Sequence, residues 1–301
     1  MKQVIKMTLA VIEILRPKQW YKNILIFVPL IASHNLTEID SVLLSFSGFV
    51  LLCLSSGGAY VLNDLIDSKR DFLHPEKKKR PIPSGKISKN QAIIFTISLL
   101  ILSEIFAFYL DFQFFIINSL LIASMIFYSI KLKNIFLVDV FSISINYVLR
   151  AIAGAFVIDV KISPWLIVGI FFLALLLAFG KRKNETRFLE KNSLNYRHVL
   201  KEYSEEILNY SIIITAATII VVYSIYAING PFEIGDWRLA ITIPVAFFIL
   251  IVYINTLFLG NYKIKELNDI IISDKKIMIS ILVYVILTLS LIYLIPDIYF
   301  K

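Results

Sequence analysis

The stretch that organises the chain is residues 63–85, NDLIDSKRDFLHPEKKKRPIPSG, which lies between two long apolar runs. On an α-helix each residue advances by about 100°, so Asp67 and Asp71 lie within about 60° of Asp64 and the three carboxylates share one face. Carboxylates this close repel one another unless a cation neutralises them. Oxygen ligands at this density suit Mg²⁺, which commonly joins one or two carboxylates to substrate phosphates. The pattern therefore predicts a Mg²⁺ site at Asp64, Asp67 and Asp71, with phosphate-binding basic residues just downstream.

A simpler interpretation of the same stretch is a solvated helix end with lysines on the cytoplasmic side of a membrane. For the lysines taken alone, this interpretation is the better one. The aspartates argue against it in two ways. They lie on the side where positive charge accumulates, and Asp64 directly follows an apolar run, where an ionisable group is costly.

The composition indicates a membrane protein. Of the 301 residues 58% are hydrophobic, and the mean hydropathy is +0.79, which is more apolar surface than a soluble domain carries. The net charge of +8 resides in the loops, so it indicates orientation in a membrane rather than binding of nucleic acid, and we expect no nucleic-acid partner. The single cysteine, Cys53, excludes an intrachain disulfide and a cysteine metal cluster.

The hydropathy pattern predicts an all-α, polytopic membrane protein with nine transmembrane helices in one domain over residues 1–301. The apolar runs lie at 20–33, 40–62, 90–110, 113–130, 135–158, 164–180, 207–228, 238–259 and 276–295. The first run is short for a hydrocarbon core of about 30 Å and needs tilt or partial burial. Residues 1–18 are predicted to form an interfacial amphipathic segment. Residues 63–90 and 181–206 are predicted to be the cytoplasmic loops of the active site.

The distribution of basic residues predicts the orientation. With the N-terminus inside and the spans alternating, the inner segments hold 26 lysines and arginines and the outer segments three. Short loops rich in Lys and Arg stay in the cytoplasm. We therefore expect a multi-pass protein of the plasma membrane, with the N-terminus and the acidic stretch in the cytoplasm and the C-terminus outside.

Three further groups of polar residues are candidates for substrate binding. Tyr128 and Lys133 end one span and Asp139 begins the next, where a plain cytoplasmic turn with a helix cap is the alternative. Arg150 lies deep in an apolar run, and an intramembrane arginine needs a partner, a polar cavity or a bound anion. Lys181, Arg182 and Glu185 close another span, where a charged helix end is an equally good interpretation.

The acidic stretch resembles the first aspartate-rich motif of the UbiA superfamily of intramembrane prenyltransferases, and nine spans match the fold of that family. Further segments between about residues 14 and 190 resemble one branch, the decaprenyl-phosphate phosphoribosyltransferases. These segments are RPKQWYKN (16–23), HPEKKKRPI (74–82), YSIKLK (128–133) with Asp139, RAIAG (150–154) and GKRKNE (180–185). One departure matters: typical prenyltransferases of the superfamily carry a second acidic motif near the sixth and seventh spans, whereas residues 180–187 here are basic.

The resemblance implies a UbiA-like helical bundle with an active site that faces the cytoplasm. It implies Mg²⁺-dependent transfer of 5-phosphoribose from 5-phosphoribosyl diphosphate to a decaprenyl-like polyprenyl phosphate, with release of diphosphate. Asp64, Asp67 and Asp71 would be the catalytic metal ligands. The substrate-binding residues it implies are Lys22, Asn63, Lys77, Arg80, Tyr128, Lys133, Asp139, Arg150, Lys181, Arg182 and Glu185. The alternatives are prenyl transfer to an aromatic or quinone precursor and, in another class, an ion-binding transporter.

Overall fold

The computed structural model describes residues 10–73, 77–192, 198–229, 237–259 and 274–295, and within these ranges the chain is helical with no β-strand. The α-helices are α1 (Phe27–Ala32), α2 (Ile39–Phe72), α3 (Lys89–Leu110), α4 (Phe112–Ile130), α5 (Val138–Val157), α6 (Pro164–Asn192), α7 (Glu205–Asn229), α8 (Ile243–Leu259) and α9 (Lys275–Tyr293). Short 3₁₀-helices lie at Pro17–Ile26, Asn35–Thr37, Lys77–Lys79, Leu132–Asn134, His198–Glu202 and Arg238–Thr242.

Several helices begin at polar residues that cap their free N–H groups. Ser88 Oγ accepts a hydrogen bond from the backbone N of Gln91 at 3.3 Å, and the Gln91 side chain accepts one from the backbone N of Ser88 at 3.0 Å, so α3 begins with a capping box. Asp111 Oδ1 accepts from the backbone N of Phe114 at 2.6 Å and begins α4. These caps place the boundaries of the apolar helices at polar residues.

Among the residues that the structure describes, eight helical segments are long and apolar enough to cross a membrane: α2 to α7, α9, and α8 taken together with the 3₁₀-helix before it. The protein is therefore an integral membrane protein with an all-α fold. The predicted first span, 20–33, differs from the others, because it folds as the 3₁₀-helix Pro17–Ile26 followed by the six-residue α1. The count of nine spans is thus approximate, and the first of them is a broken segment that packs on its neighbours.

The two predicted active-site loops are shorter than expected, because helix continues into both. Helix α2 extends to Phe72 and α6 to Asn192, past the ends of their apolar runs. Lys, Arg and Glu are good helix formers, so a charged sequence need not end a helix. Residues 63–72 and 181–192 are therefore helical rather than loop, and their place in the active site stays a prediction. Residues 74–76 and 193–197 lie outside the described residues.

The chain forms two compact units, and the first comprises Met1–Ile31 and Asn35–Lys161. Its long helix α2 packs along α3 and also contacts α4 and α5, while the 3₁₀-helix Pro17–Ile26 packs on α5 and α2. The core contains fully buried Ile26, Leu52 and Phe114. A Cβ atom at Gly154 would overlap the carbonyl oxygen of Ile26, so this position of α5 admits only glycine beside the broken first segment.

The predicted interfacial segment lies only partly within the described residues, since residues 1–9 fall outside them. Ala10 and Ile14 are buried against a cluster that includes Val61 and Ile82. This part of the segment therefore packs on the first unit, near the end of α2 that carries the aspartates.

The second unit comprises Ala32–His34 and Ile162–Lys301. Helix α6 packs along α7, and α8 contacts α9. Arg238 Nη1 donates to the carbonyl oxygens of Leu291 at 3.2 Å and Ile295 at 2.9 Å, at the end of α9. The expectation of a single domain over residues 1–301 stays a prediction.

Candidate active site

The three aspartates of α2 lie at one end of the first unit, where two interhelical connections meet them. Arg80 reaches them from the connection between α2 and α3, and Lys133 from the 3₁₀-helix between α4 and α5. We call the three aspartates, with their partners Arg16, Arg70, Arg80 and Lys133, the acidic cluster. Antiparallel neighbours with short connections bring these residues together, because the end of α2 and the two connections lie on the same side of the unit.

Asp64 and Asp71 share one cation. Nη1 of Arg80 lies 2.9 Å from Oδ1 of Asp64 and 2.6 Å from Oδ2 of Asp71. Arg16 forms a second ion pair with the same Oδ1 of Asp64. The two carboxylates, seven residues apart on α2, therefore hold positive charge between them, as two turns of helix allow.

Asp67 has a different set of partners. Nζ of Lys133 lies 2.7 and 2.8 Å from the two carboxylate oxygens of Asp67 and 3.2 Å from Oδ1 of Asn63. Arg70 adds a contact of 2.6 Å one turn along the helix. The face predicted from the sequence is thus present, but it divides into an Asp64–Asp71 pair and a separate Asp67 centre.

The carboxylates and their cations differ in exposure. The side chains of Asp64, Asp67 and Asp71 are buried, whereas those of Arg16, Arg80 and Arg70 are 22%, 30% and 38% exposed. The loss of a counter-ion from a buried carboxylate strongly destabilises the folded protein. The cluster therefore requires positive charge at its carboxylates, while most of the groups that supply this charge reach water.

These residues fit a divalent cation held by one or two carboxylates. Arg80 Nη1 marks a point between Asp64 and Asp71 where positive charge is already bound, and carboxylate oxygen is the ligand that Mg²⁺ prefers. Within the described ranges no three His, Cys, Asp or Glu side chains converge on one point. The fit is therefore to Mg²⁺ that keeps other ligands from water or phosphate, rather than to a closed protein cage.

A cavity of about 290 Å³ adjoins the Asp67 centre. It is lined by Ile66, Asp67, Lys69, Arg70, Ser129, Ile130, Lys133 and Asn134. Both charged partners of Asp67 thus line it, together with the end of α4. A small anionic group in this cavity would contact cations from two different elements.

Arg150 forms a second polar centre in the first unit. It is 2% exposed, and it donates from Nε to Oδ1 of Asn23 at 2.7 Å, from Nη1 to the carbonyl of Asn146 at 2.5 Å and from Nη2 to Oγ of Ser56 at 3.3 Å. Asn23 also donates to Sγ of Cys53 at 3.2 Å. We call these residues the arginine cluster. Its hydrogen-bond acceptors are neutral, and they join the broken first segment to α2 and α5.

The family model that describes the UbiA prenyltransferase family matches residues 24–267, most of the chain. The chain belongs to the UbiA prenyltransferase family. It is therefore a member of a family of membrane transferases.

Curated relatives carry a more specific name. A decaprenyl-phosphate phosphoribosyltransferase of Mycolicibacterium smegmatis is 30% identical over 224 residues, which are 73% of this chain and 70% of the relative. The protein of the same name from Mycobacterium tuberculosis is 28% identical over 245 residues, 80% of this chain and 81% of the relative.

A solved structure shares the fold. A UbiA homolog from Archaeoglobus fulgidus, bound to GPP and Mg²⁺, aligns with a TM-score of 0.70 at 18% identity and covers 94% of this chain and 99% of that chain. The prediction of a UbiA-like all-α fold is confirmed.

In this UbiA family member, the predicted site residues of the second unit lie at the charged end of α6. Arg182 is buried and forms an ion pair with Glu185, while Lys181 is exposed. Lys183, which the sequence analysis did not select, is also buried. Its Nζ donates to Oδ1 of Asn209 at 2.5 Å and lies 3.4 Å from the ring centroid of Phe258. This end of α6 therefore buries two cations.

The remaining predicted residues of this UbiA protein lie on the first unit. Lys22 sits 6.0 Å from the ring centroid of Tyr60, which also faces the guanidinium of Arg16 at 5.4 Å. Asp139 is fully buried in the first turn of α5. Tyr128 is half-buried near the end of α4, and Lys77 begins the 3₁₀-helix Lys77–Lys79. The substrate-binding role of all these residues stays a prediction.

Sequence reasoning did not select six residues of the two clusters: Arg16, Arg70, Asn23, Cys53, Ser56 and Asn146. Arg16 was part of a quoted motif, and its position just before Pro17 and the first apolar run was the available signal. Asn23 was also detectable as an amide inside an apolar segment. Ser56 gave no signal of its own, since serines are common in membrane helices.

Proposed function

We propose that this UbiA protein transfers 5-phosphoribose from 5-phosphoribosyl diphosphate to a polyprenyl phosphate and releases diphosphate. The observation that carries the proposal is that α6 buries Arg182 and Lys183 in the region where prenyl-transferring members have a second acidic motif. One acidic cluster and a separate basic centre suit two substrates that each bear phosphate. The names of the mycobacterial relatives support the same substrates.

The reaction asks the protein to bring two anions together. An oxygen of the lipid phosphate attacks C1 of the ribose, and the bond from C1 to the diphosphate oxygen breaks with its electron pair on diphosphate. The attacking phosphate is already ionised at neutral pH, so no strong general base is required. Positioning and stabilisation of negative charge are therefore the main contributions of the protein.

Asp64 and Asp71 would hold Mg²⁺, with Asp67 close by on the same helix. Mg²⁺ would supply neutralisation of the charge that develops on the departing diphosphate. The solved archaeal homolog binds Mg²⁺ with a prenyl diphosphate, which supports a divalent metal in this fold.

Basic residues around the acidic cluster would bind the donor. Arg80 and Lys77 are candidates for the diphosphate, and Lys133 lines the cavity beside Asp67. Asn63, Tyr128 and Asp139 are candidates for the ribose. The residues that remain candidates for the donor 5-phosphate or the lipid phosphate are Lys22, Lys181 and Arg182, with Glu185 orienting Arg182. Arg150, which the sequence also suggested for this role, already donates to Asn23, Asn146 and Ser56.

The lipid chain would lie among the apolar helices, where each buried CH₂ contributes about 0.8 kcal/mol. The acidic cluster and the N-terminus would face the cytoplasm and the C-terminus the outside of the plasma membrane. The excess of Lys and Arg indicates that this side is cytoplasmic. A water-soluble phosphoribosyl donor from the cytoplasm could therefore reach the acidic cluster directly.

The test is transfer of label from phosphoribosyl diphosphate into extractable lipid, with purified protein, Mg²⁺ and a polyprenyl phosphate. We expect labelled lipid that disappears with EDTA and with Asp64→Asn. A wild-type protein that transfers no label, although it is folded and supplied with both substrates, would overturn the proposal.

Prenyl transfer is the second candidate, because the family is named for it and the archaeal homolog binds a prenyl diphosphate. A parallel reaction with a prenyl diphosphate and an aromatic acceptor distinguishes the two. Consumption of the prenyl diphosphate without transfer of phosphoribose would favour this alternative.

A further inference from the structure

Asp64 Oδ1 is the acceptor of two guanidinium groups, and one of them comes from far along the chain. Arg80 reaches it from 16 residues away and Arg16 from 48. A metal ion bound to this oxygen would compete with both arginines for the same lone pairs. Binding of the metal therefore changes what these arginines contact.

The competition has an electrostatic cost that a metal alone cannot avoid. Asp64 is 1% exposed and lies beside two further carboxylates, so positive charge at its oxygen is required. The metal can supply that charge, but it leaves displaced guanidinium groups close to its own charge. A diphosphate that arrives with the metal removes this repulsion, because phosphate oxygens accept the displaced N–H groups.

Arg16 has the properties of the arginine that moves. Its side chain is partly exposed, as that of Arg80 is, and among the described residues its guanidinium is paired with a single carboxylate, that of Asp64. Arg80, in contrast, is held by two carboxylates. The centroid of the Tyr60 ring lies 5.4 Å from Cζ of the Arg16 guanidinium. This cation–π contact can be kept while the guanidinium exchanges one anionic partner for another.

We propose that Arg16 is an exchangeable counter-ion of Asp64 that turns from this carboxylate to the diphosphate of the donor when the metal binds. Metal and diphosphate then bind cooperatively. Arg16 opposes the metal when the metal is alone and favours the diphosphate when both are present. This inference rests on the proposed function, since it takes Asp64 as a ligand of the metal.

The test measures metal binding and diphosphate binding separately, on the full chain in detergent and without the lipid acceptor. Mn²⁺ replaces Mg²⁺ in one titration, and the EPR signal of the free ion reports the bound fraction. Labelled inorganic diphosphate at saturating Mg²⁺ is used in the other. In Arg16→Gln we expect Mn²⁺ to bind more tightly and diphosphate more weakly, each by roughly tenfold, the value of one charge-assisted hydrogen bond.

Two variants control this experiment. Lys86→Gln also removes one positive charge. Lys86 Nζ lies 3.0 Å from Oε2 of Glu13, three residues before Arg16, so this substitution removes an exposed ion pair with the same N-terminal segment. It should leave both affinities unchanged. Arg16→Lys keeps the charge without the fork, so it should bind Mn²⁺ nearly as wild type does and diphosphate with intermediate affinity. Arg16 has a left-handed backbone conformation with φ of 51°, and the conformational strain is similar for Gln and Lys, so it does not distinguish the two variants.

The outcomes separate the inference from the proposed function. Weakening of both ligands in folded Arg16→Gln, or no change in either, would overturn the exchange while leaving the metal site in place. If the wild type binds neither Mn²⁺ nor diphosphate, and Asp64→Asn behaves identically, the metal site itself is wrong.

Discussion

The acidic cluster and the arginine cluster both place charge inside the first unit, but they neutralise it differently. The acidic cluster pairs buried carboxylates with cations that mostly reach water. The arginine cluster holds a buried cation with the oxygens of Asn23, Asn146 and Ser56. Ser56 and Asp64 are eight residues apart on α2, so the two clusters lie about 12 Å apart along the helix axis.

The difference indicates different roles. Partially exposed counter-ions can exchange for a metal or a phosphate at moderate cost, because water and salt screen the pairs. Hydrogen bonds to backbone and side-chain groups in a packed core cannot be exchanged without disturbing the core. We therefore expect the acidic cluster to determine activity and the arginine cluster to determine stability.

The largest expected effect is on turnover in Asp64→Asn. The substitution removes one negative charge where Arg16 and Arg80 can still reach water, so the fold should survive with a small change in Tm. Transfer should fall by at least about 100-fold, or about 2.7 kcal/mol in the barrier. The measurement is the lipid-labelling assay beside a thermal melt in detergent. A variant that melts far below wild type would show that the acidic cluster is structural after all.

The second effect is on stability in Arg150→Met, which keeps an unbranched but shorter side chain and removes the donors. Three oxygen acceptors lose their partner, and we expect the free energy of unfolding to fall by about 2 to 4 kcal/mol. The KM for either substrate should stay near that of wild type in protein that remains folded. A raised KM with an unchanged Tm would instead assign Arg150 to a substrate phosphate.

The smallest effect concerns Gly154, which lies one turn after Arg150 on α5 and contacts the backbone of the broken first segment at Ile26. Gly154→Ala places Cβ against the backbone oxygen of Ile26, which cannot move aside as a side chain can, so we expect a loss of about 1 to 3 kcal/mol.

Gly169→Ala is the matched control for Gly154. There the new Cβ would lie 3.8 Å from Val222, an ordinary contact, and the gain in helix propensity should raise stability by up to about 1 kcal/mol. Thermal melts compare the two. An equal change in Tm in the two variants would mean that the close contact between Gly154 and Ile26 does not contribute to stability.

The parts that the sequence could predict depend on local patterns. Eight apolar spans follow from hydropathy, and the shared face of Asp64, Asp67 and Asp71 follows from helical periodicity. Contacts at long range do not follow from such patterns. Nothing local indicates that Arg16 meets Asp64, 48 residues later, or that the amide of Asn23 meets Arg150, 127 residues later.

The broken first segment also lay beyond local rules. Its composition is as apolar as that of a short span, but it folds as a 3₁₀-helix followed by α1. Its contacts with α5, including the close approach of Ile26 to Gly154, come from tertiary packing, which overrides local preference. Burial of Lys183 is similar, because it depends on Asn209 and Phe258 from two later helices.

The length of α2 has a consequence for how the proposed reaction would be supplied. Its 34 residues extend for about 51 Å, well beyond a hydrocarbon core of about 30 Å. The aspartates follow the apolar part of this helix, residues 40–62. Under the proposed function, one substrate would therefore arrive by diffusion in three dimensions while the other moves within the plane of the membrane. The encounter is then one between two phases. The rate would follow the mole fraction of the lipid phosphate in the membrane, and dilution with inert lipid would slow the reaction even when the total amounts in the vessel are constant.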